Sequence, residues 1–114
     1  MKINEAILAL SALAQDTRMR VFRLLVRHGN TGLPAGQIAQ ELGVNATTLS
    51  RHLALMEGAG LVGSERQMRS IIYRVDFGAA RSLMSFLMED CCAGDPRITG
   101  EAQPDTAGSP CCDA

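Results

Sequence analysis

The stretch from Leu42 to Leu61, LGVNATTLSRHLALMEGAGL, constrains the fold of this chain more than any other. Gly43 marks a turn, and after it Leu49, Leu53 and Met56 recur at positions i, i+4 and i+7, which predicts a helix with one buried side. The other side carries short polar or basic residues, namely Thr47, Thr48, Ser50, Arg51 and His52. Such a side fits the major groove of DNA, so we hypothesise that this helix binds there.

Length and composition indicate one domain with an aliphatic core. The chain has 114 residues, of which 46% are hydrophobic and 4% aromatic, with no Trp, so Leu, Ile, Val, Ala and Met must fill the core. No apolar run approaches the roughly 18 residues of a membrane span. The amino terminus lacks a signal-peptide pattern, and we therefore expect a cytoplasmic protein without a membrane partner.

The charge is unevenly distributed along the chain. The net charge is −1, but residues 1–89 hold ten basic and seven acidic residues, whereas residues 90–114 hold one Arg and five acidic residues. A mildly basic first part is compatible with binding to nucleic acid. We predict a folded domain over residues 1–92 and a flexible, acidic, Cys-containing tail over residues 93–114, which is too poor in apolar residues to fold alone.

Helical periodicity predicts four further helices. They cover residues 5–14, 17–28 with Asp16 as the N-cap, 33–42, and about 77–90 with Asp76 as the N-cap. The predicted apolar stripes comprise Met19, Phe22, Leu25 and Val26 in the second helix; Ile38, Ala39 and Leu42 in the third; and Phe77, Ala80, Leu83, Met84 and Leu87 in the last.

Between the Leu42–Leu61 stretch and the last helix the period changes from helical to strand-like. Residues 61–66 and 69–75 are predicted to form a hairpin with Gln67 and Met68 at its tip. A hairpin directly after a helix-turn-helix is a wing. The predicted fold is thus mainly α with a small β-hairpin: a winged helix-turn-helix with the order helix, helix, helix, helix, strand, strand, helix.

Polar and basic side chains of this motif are the candidate DNA contacts. They are Gln37, Thr47, Thr48, Ser50, Arg51, His52, Arg66 and Arg69. Arg suits bidentate contact with guanine, whereas Ser and Thr suit phosphate or the thymine methyl group. The alternative is an ordinary solvated surface. For His52 a capping role or a metal-ligand role is also open, but the only other His, His28, lies on another helix, and phosphate contact is favoured.

The element order, together with Ser50-Arg51-His52-Leu53, Gly60-Leu61-Val62 and Tyr73-Arg74, resembles the ArsR/SmtB family of metal- and metalloid-responsive repressors over about residues 5–92. The resemblance implies a transcriptional repressor rather than an enzyme. It also implies a homodimer formed through the first and last helices, and double-stranded operator DNA as the partner, bound by two recognition helices in successive major grooves. Release of the operator would follow ion binding.

All four Cys lie in the last quarter of the chain, as the pairs Cys91-Cys92 and Cys111-Cys112. The first pair resembles the C-terminal arsenic site of an ArsR subgroup, in which a third Cys follows a few residues later, but residues 97–100 contain none. Trivalent arsenic prefers three soft thiolates, so Cys111 or Cys112 is expected to complete the metal site. The resemblance makes As(III) or Sb(III) the inducer, with no cofactor needed for DNA binding.

Two other site types of the family do not match this sequence. The zinc-type site on the last helix needs imidazoles, and residues 76–89 contain no His; the arsenic-type Cys-x-Cys of the third helix is absent from residues 33–37. Several alternatives stay open for the Cys pairs: a two-thiolate site for methylated arsenicals, a thiol from the second subunit, zinc or cadmium held by four thiolates, and a redox switch. A metallochaperone or small thiol enzyme is disfavoured, because no His lies near the pairs in sequence and there is no Cys-x-x-Cys.

Overall fold

Five α-helices and a three-stranded antiparallel sheet make up residues 1–89, the part of the chain that the computed structural model describes. The helices are α1 (Ile3–Leu13), α2 (Asp16–His28), α3 (Ala35–Leu42), α4 (Ala46–Gly58) and α5 (Phe77–Met88). The strands are β1 (Leu33–Pro34), β2 (Val62–Gln67) and β3 (Ser70–Val75), and a 3₁₀ turn over Gly29–Thr31 joins α2 to β1. The predicted winged helix-turn-helix is confirmed.

Strand β1 is an element that the sequence did not predict. Leu33 pairs with Tyr73 and Pro34 with Ile72, so β3 lies between β1 and β2. Assigning residues 33–34 to the third helix was wrong. A proline disfavours the helical conformation of the residue before it, here Leu33. Because proline lacks an N–H, it is tolerated on an edge strand such as β1. Pro34 is extended and serves as the N-cap position of α3.

The start of α2 also differs from the prediction, which made Asp16 the N-cap. Gln15 occupies that position, and its side-chain oxygen accepts a hydrogen bond from the Arg18 backbone N–H at 2.9 Å. Asp16 is the first helical residue and lies 3.3 Å from the Arg20 guanidinium. Its carboxylate still favours the helix by interacting with the positive end of the helix dipole.

The core is built around α4. Leu49, Leu53 and Met56 are buried, as the spacing predicted, and they pack in one cluster with residues of the other helices and the sheet. The fully buried large side chains are Val21, Leu25, Ile38, Leu49, Leu53, Met56 and Leu61.

Helix α2 buries only part of the predicted stripe, since Leu25 is buried and Phe22 is half-buried against the core. Val21, Leu24 and Leu25 are buried, whereas Met19 and Val26 are exposed. The run from Met19 to Val26 contains apolar residues on more than one side of the helix, so periodicity alone identified only some of the residues that are buried.

The first and last helices bury little of their apolar surface within one chain. Helix α1 buries Ala6, Ala9 and Ala12 and exposes its larger apolar residues from Ile3 to Leu10. Asp76 caps α5 as predicted, accepting the Ala79 N–H at 3.0 Å, but in this helix only Leu83 is fully buried. The remainder of the predicted α5 stripe is half-buried at Ala80 and exposed at Phe77, Met84 and Leu87.

The hairpin tip lies one residue later than predicted. Gln67 pairs with Ser70, so Met68 and Arg69 form the two-residue loop. Met68 has a φ of 55°, an unusual value for a residue with a side chain, and that side chain is 92% exposed.

Gly32, just before β1, is the glycine that the fold requires most. Its φ of 70° and ψ of −173° belong to a region that only glycine populates readily. An added Cβ would also lie 2.6 Å from the Tyr73 carbonyl oxygen.

Gly32→Ala is therefore expected to lower the free energy of unfolding by about 2–4 kcal/mol, measured by urea denaturation. Gly43→Ala is the matched control. Gly43 has a φ of 66° in the ordinary left-handed region, with nothing within 4 Å of the added carbon, and the cost should be about 1 kcal/mol. Equal losses in the two variants would contradict this explanation.

Candidate DNA-binding surface

The turn between α3 and α4 sets how the second helix leaves the first. Gly43 takes a left-handed conformation at the end of α3, and the Val44 N–H donates to the Ala39 carbonyl at 3.1 Å. This closes the helix end and redirects the chain within three residues. Val44 is half-buried against the core, which fixes the turn from the inside.

Asn45 starts α4 by capping it. Its side-chain oxygen accepts the backbone N–H of Thr47 at 2.7 Å and that of Thr48 at 3.4 Å. The N–H groups of the first turn are thereby partly satisfied, and the Thr hydroxyls are left for other partners.

The polar side of α4 faces solvent, as predicted. Thr47, Thr48, Ser50 and Arg51 are exposed. Leu49, which lies between them in sequence, and Leu53, two positions after Arg51, are only 1% exposed. The helix is therefore anchored by its apolar side and presents three hydroxyls and one guanidinium outward. Gln37, the candidate on α3, is also exposed.

The wing is joined to the end of α4 by a polar contact. The Ser64 hydroxyl on β2 donates to the Glu57 carboxylate in the last turn of α4 at 2.7 Å. Burial, and to a lesser extent the Glu57 charge, raises the pKa of Tyr73 on β3. Arg66 at the end of β2 and Arg69 in the tip loop are exposed, so the structure leaves both predicted wing contacts accessible.

A third wing arginine has a structural role. The Arg74 Nε donates to the Asn30 carbonyl at 3.0 Å, and its Nη1 lies 3.0 Å from the Glu65 carboxylate. Arg74 thus links β3 to both β2 and the 3₁₀ turn. The Tyr73-Arg74 pair that contributed to the family resemblance consequently supports the base of the wing.

His52 differs from the other candidates because it is half-buried and already has a partner. Its Nδ1 lies 3.1 Å from the Arg18 Nη1 on α2, and the Arg18 Nε donates to the Ala12 carbonyl at 2.6 Å. Burial lowers the pKa of His52 below its usual 6.5, and the nearby charges of Arg18 and Arg51 lower it further. Sequence reasoning missed this contact, because Arg18 lies 34 positions away and belongs to no motif with His52.

The predicted metal ligands Cys91, Cys92, Cys111 and Cys112 lie outside the described residues. Within residues 1–89, no three His, Cys, Asp or Glu side chains are grouped so that they could hold a metal ion. The thiolate site stays a prediction. None of the helices in the same range is long and apolar enough to cross a membrane.

Comparison with known proteins agrees with this geometry. Residues 13–65 match a family described as a helix-turn-helix domain. The HTH-type transcriptional regulator YgaV of Escherichia coli (strain K12) is 28% identical over 89 residues, covering 78% of this chain and 88% of YgaV.

Two solved structures are similar over most of the chain. An ArsR-like transcriptional regulator from Rhodococcus sp. RHA1 has a TM-score of 0.70 at 24% identity, covering 95% of this chain and 97% of the other. The homodimeric winged helix-turn-helix DNA-binding domain of Mb0332 from Mycobacterium bovis, a possible ArsR-family regulator, has a TM-score of 0.64 at 24% identity, covering 89% and 88%. These similarities are to transcriptional regulators and not to enzymes, so the prediction of a non-enzymatic transcriptional regulator with a DNA-binding helix-turn-helix is confirmed.

Proposed function

We propose that this winged-helix regulator of the ArsR/SmtB type is a homodimeric repressor, which binds operator DNA and releases it when As(III) or Sb(III) binds its C-terminal thiolates. The observation that carries the DNA-binding part is the two-sided α4, with Leu49 and Leu53 in the core and Ser50 and Arg51 exposed. The helix-turn-helix match and the ArsR-like structures support the family assignment.

Exposed apolar residues on α1 and α5 support the homodimer. Large side chains that face solvent in the single chain are Ile3, Ile7, Leu8 and Leu10 on α1 and Phe77, Met84 and Leu87 on α5. The two helices contact each other, so these residues belong to neighbouring elements. An isolated exposed Leu is ordinary, but seven large apolar residues on two adjoining helices indicate a surface that a partner covers. A second copy of the chain is the partner that the family resemblance implies.

The position of the first Cys pair in the sequence supports the sensor. Cys91 follows Glu89, the last described residue, by two positions, and Glu89 directly follows α5. Helix α5 contacts α1, and α1 contacts α4. An ion bound by Cys91 and Cys92, with Cys111 or Cys112 as the third thiolate, would therefore act on the dimer helices and through them on the recognition helix. A coupling of about 1–3 kcal/mol is sufficient for a response.

The missing third Cys at residues 97–100 favours two alternative inducers on the same fold. A site with only the Cys91 and Cys92 thiolates suits a monomethylated trivalent arsenical, in which one methyl group leaves two positions for sulfur. Peroxide could instead oxidise the two Cys pairs to disulfides.

One titration separates these possibilities. A duplex selected by the full chain from a random library is labelled, bound, and titrated with arsenite, antimonite, methylarsenite or peroxide while fluorescence anisotropy is followed. We expect arsenite and antimonite to release the DNA from the wild type and from Arg23→Ala, a surface control, but not from Cys91→Ser. If only peroxide or only methylarsenite releases the DNA, the corresponding alternative replaces the proposal. If arsenite releases DNA equally from Cys91→Ser, the thiolate sensor is wrong.

A further inference from the structure

The Arg18 guanidinium connects three helices at one point. It belongs to the first turn of α2, its Nε donates to the carbonyl of Ala12 near the end of α1, and its Nη1 reaches His52 Nδ1 on α4 at 3.1 Å. Both contacts are partly buried. A guanidinium beside the last carbonyls of a helix is also favoured by the helix dipole. Arg18 thereby ties the recognition helix to α1, one of the two helices of the proposed dimer surface.

This contact determines where the proton on His52 lies. A guanidinium has only N–H donors, so the ring nitrogen that faces it must be an acceptor without a hydrogen. In a neutral imidazole the proton then resides on Nε2. A protonated ring would direct an Nδ1–H at the Arg18 N–H groups and lose the bond. The contact with Arg18 is therefore compatible with a single state, the neutral ring with Nε2–H.

The other ring nitrogen, Nε2, then carries a hydrogen that can be donated, and it has no acceptor within the described residues. His52 is half-buried, so part of the ring reaches the surface, and its neighbours on α4, Ser50 and Arg51, are exposed. Phosphate oxygens and the guanine and adenine N7 atoms are acceptors that an N–H can contact. A ring held in one tautomer presents this donor in one direction, and it needs no rotation or proton shift on binding.

We propose that Arg18 is a positioning residue for DNA recognition, which holds His52 in the neutral Nε2–H tautomer so that the ring offers one fixed donor to the DNA. The DNA part of this inference rests on the proposed function, whereas the tautomer part concerns the free protein. The charged groups placed against the ring, Arg18 on α2 and Arg51 on α4, both oppose protonation, as burial does, and the lowered pKa agrees with a neutral ring near pH 7.

The tautomer is measured directly by long-range ¹H–¹⁵N NMR on the labelled full chain at about pH 7.5. The chain has two His, and a His28→Gln variant assigns their signals. We expect His52 to show a bare Nδ1 and a protonated Nε2 in the wild type. In Arg18→Met we expect a mixture of tautomers and a pKa of His52 that rises toward its ordinary value. Arg20→Met, which removes an exposed arginine two positions along the same helix, should change neither.

Affinity for the selected duplex supplies the second measurement. Arg18→Met should weaken binding about tenfold when His52 is present and less than about threefold in a His52→Ala background, because the lost contact acts through the ring. Equal losses in both backgrounds would mean that Arg18 acts only on stability or by its charge, and would overturn the proposal. Arg18→Lys keeps the charge but has one nitrogen where Arg18 uses two, Nε and Nη1. Its affinity should lie between those of the wild type and Arg18→Met, and it replaces Arg18→Met in the comparison if that variant folds poorly.

The wild-type spectrum tests the proposed tautomer even if no Arg18 variant folds, since an Nδ1–H tautomer of His52 would overturn the proposal. The same holds if Arg18→Met and Arg20→Met leave the tautomer equally unchanged. Failure of the wild type to select any duplex would instead overturn the proposed function, and with it the DNA part of this inference, whatever the tautomer.

Discussion

Ile7→Asp is expected to convert the proposed dimer to monomers and to weaken operator binding at least about a hundredfold. Ile7 is 56% exposed in the single chain and lies midway along α1, with Ile3 and Leu10 one turn away on either side. A carboxylate buried in an apolar interface costs several kcal/mol. Separation of the subunits also removes the gain from binding two half-sites together, which is typically about 10²–10⁴. Sedimentation equilibrium gives the mass, and anisotropy with the selected duplex gives the affinity.

Leu55→Asp is the matched control for the oligomeric state. Leu55 is similarly exposed, at 51%, but belongs to α4 and not to the α1 and α5 surface. We expect Leu55→Asp to stay dimeric. If Ile7→Asp remains a dimer at low micromolar concentration, or if both variants dissociate alike, α1 does not form the proposed interface.

Arg51→Ala is expected to weaken binding to the selected duplex by about tenfold to a hundredfold with little change in stability. Arg51 is exposed on the polar side of α4 and contributes nothing to the core, so its removal should leave the melting temperature within about a degree of the wild type. If the contact is to a base, discrimination at one position of the duplex should relax; if it is to phosphate, all sequences should weaken and the salt slope should fall by about one.

Arg81→Ala removes the same charge from α5, where no DNA contact is predicted. Its affinity should stay within about twofold of the wild type at the same salt concentration. Both variants lose one positive charge, so a difference between them reports the position of the arginine and not the net charge. A similar loss of affinity in Arg81→Ala and Arg51→Ala would show that bulk charge governs binding, and the assignment of α4 as the reading helix would be wrong.

The sequence was most informative for α4 because both of its sides are encoded locally. Leu49, Leu53 and Met56 are the apolar residues of one regular face, and their burial directs Ser50 and Arg51 outward. In α2 the same kind of reasoning found Phe22 and Leu25 but missed Val21 and Leu24. Apolar residues occupy more than one side of this helix, and contact with the other elements decides which of them are buried.

Local sequence patterns could not predict features that depend on contacts between residues far apart in the chain. The two-residue strand β1 exists only because Leu33 and Pro34 meet β3, about forty positions later. The contact between Arg18 and His52 likewise joins two helices that no motif connects. The apolar residues of α1 and α5 were visible in the sequence, but which of them lie outside the core is decided by the packing of Ala6, Ala9 and Leu83.

Chemical-shift mapping of the ¹⁵N-labelled full chain, titrated with the selected duplex, tests most directly whether α4 and the wing read the DNA. We predict that the largest amide shifts fall on Thr47, Thr48, Ser50 and Arg51 and on the wing between Arg66 and Arg69, and that a scrambled duplex of equal length gives weaker shifts at the α4 residues. Shifts confined to α1 and α5, with Thr47–Arg51 unmoved by the selected duplex, would contradict the account.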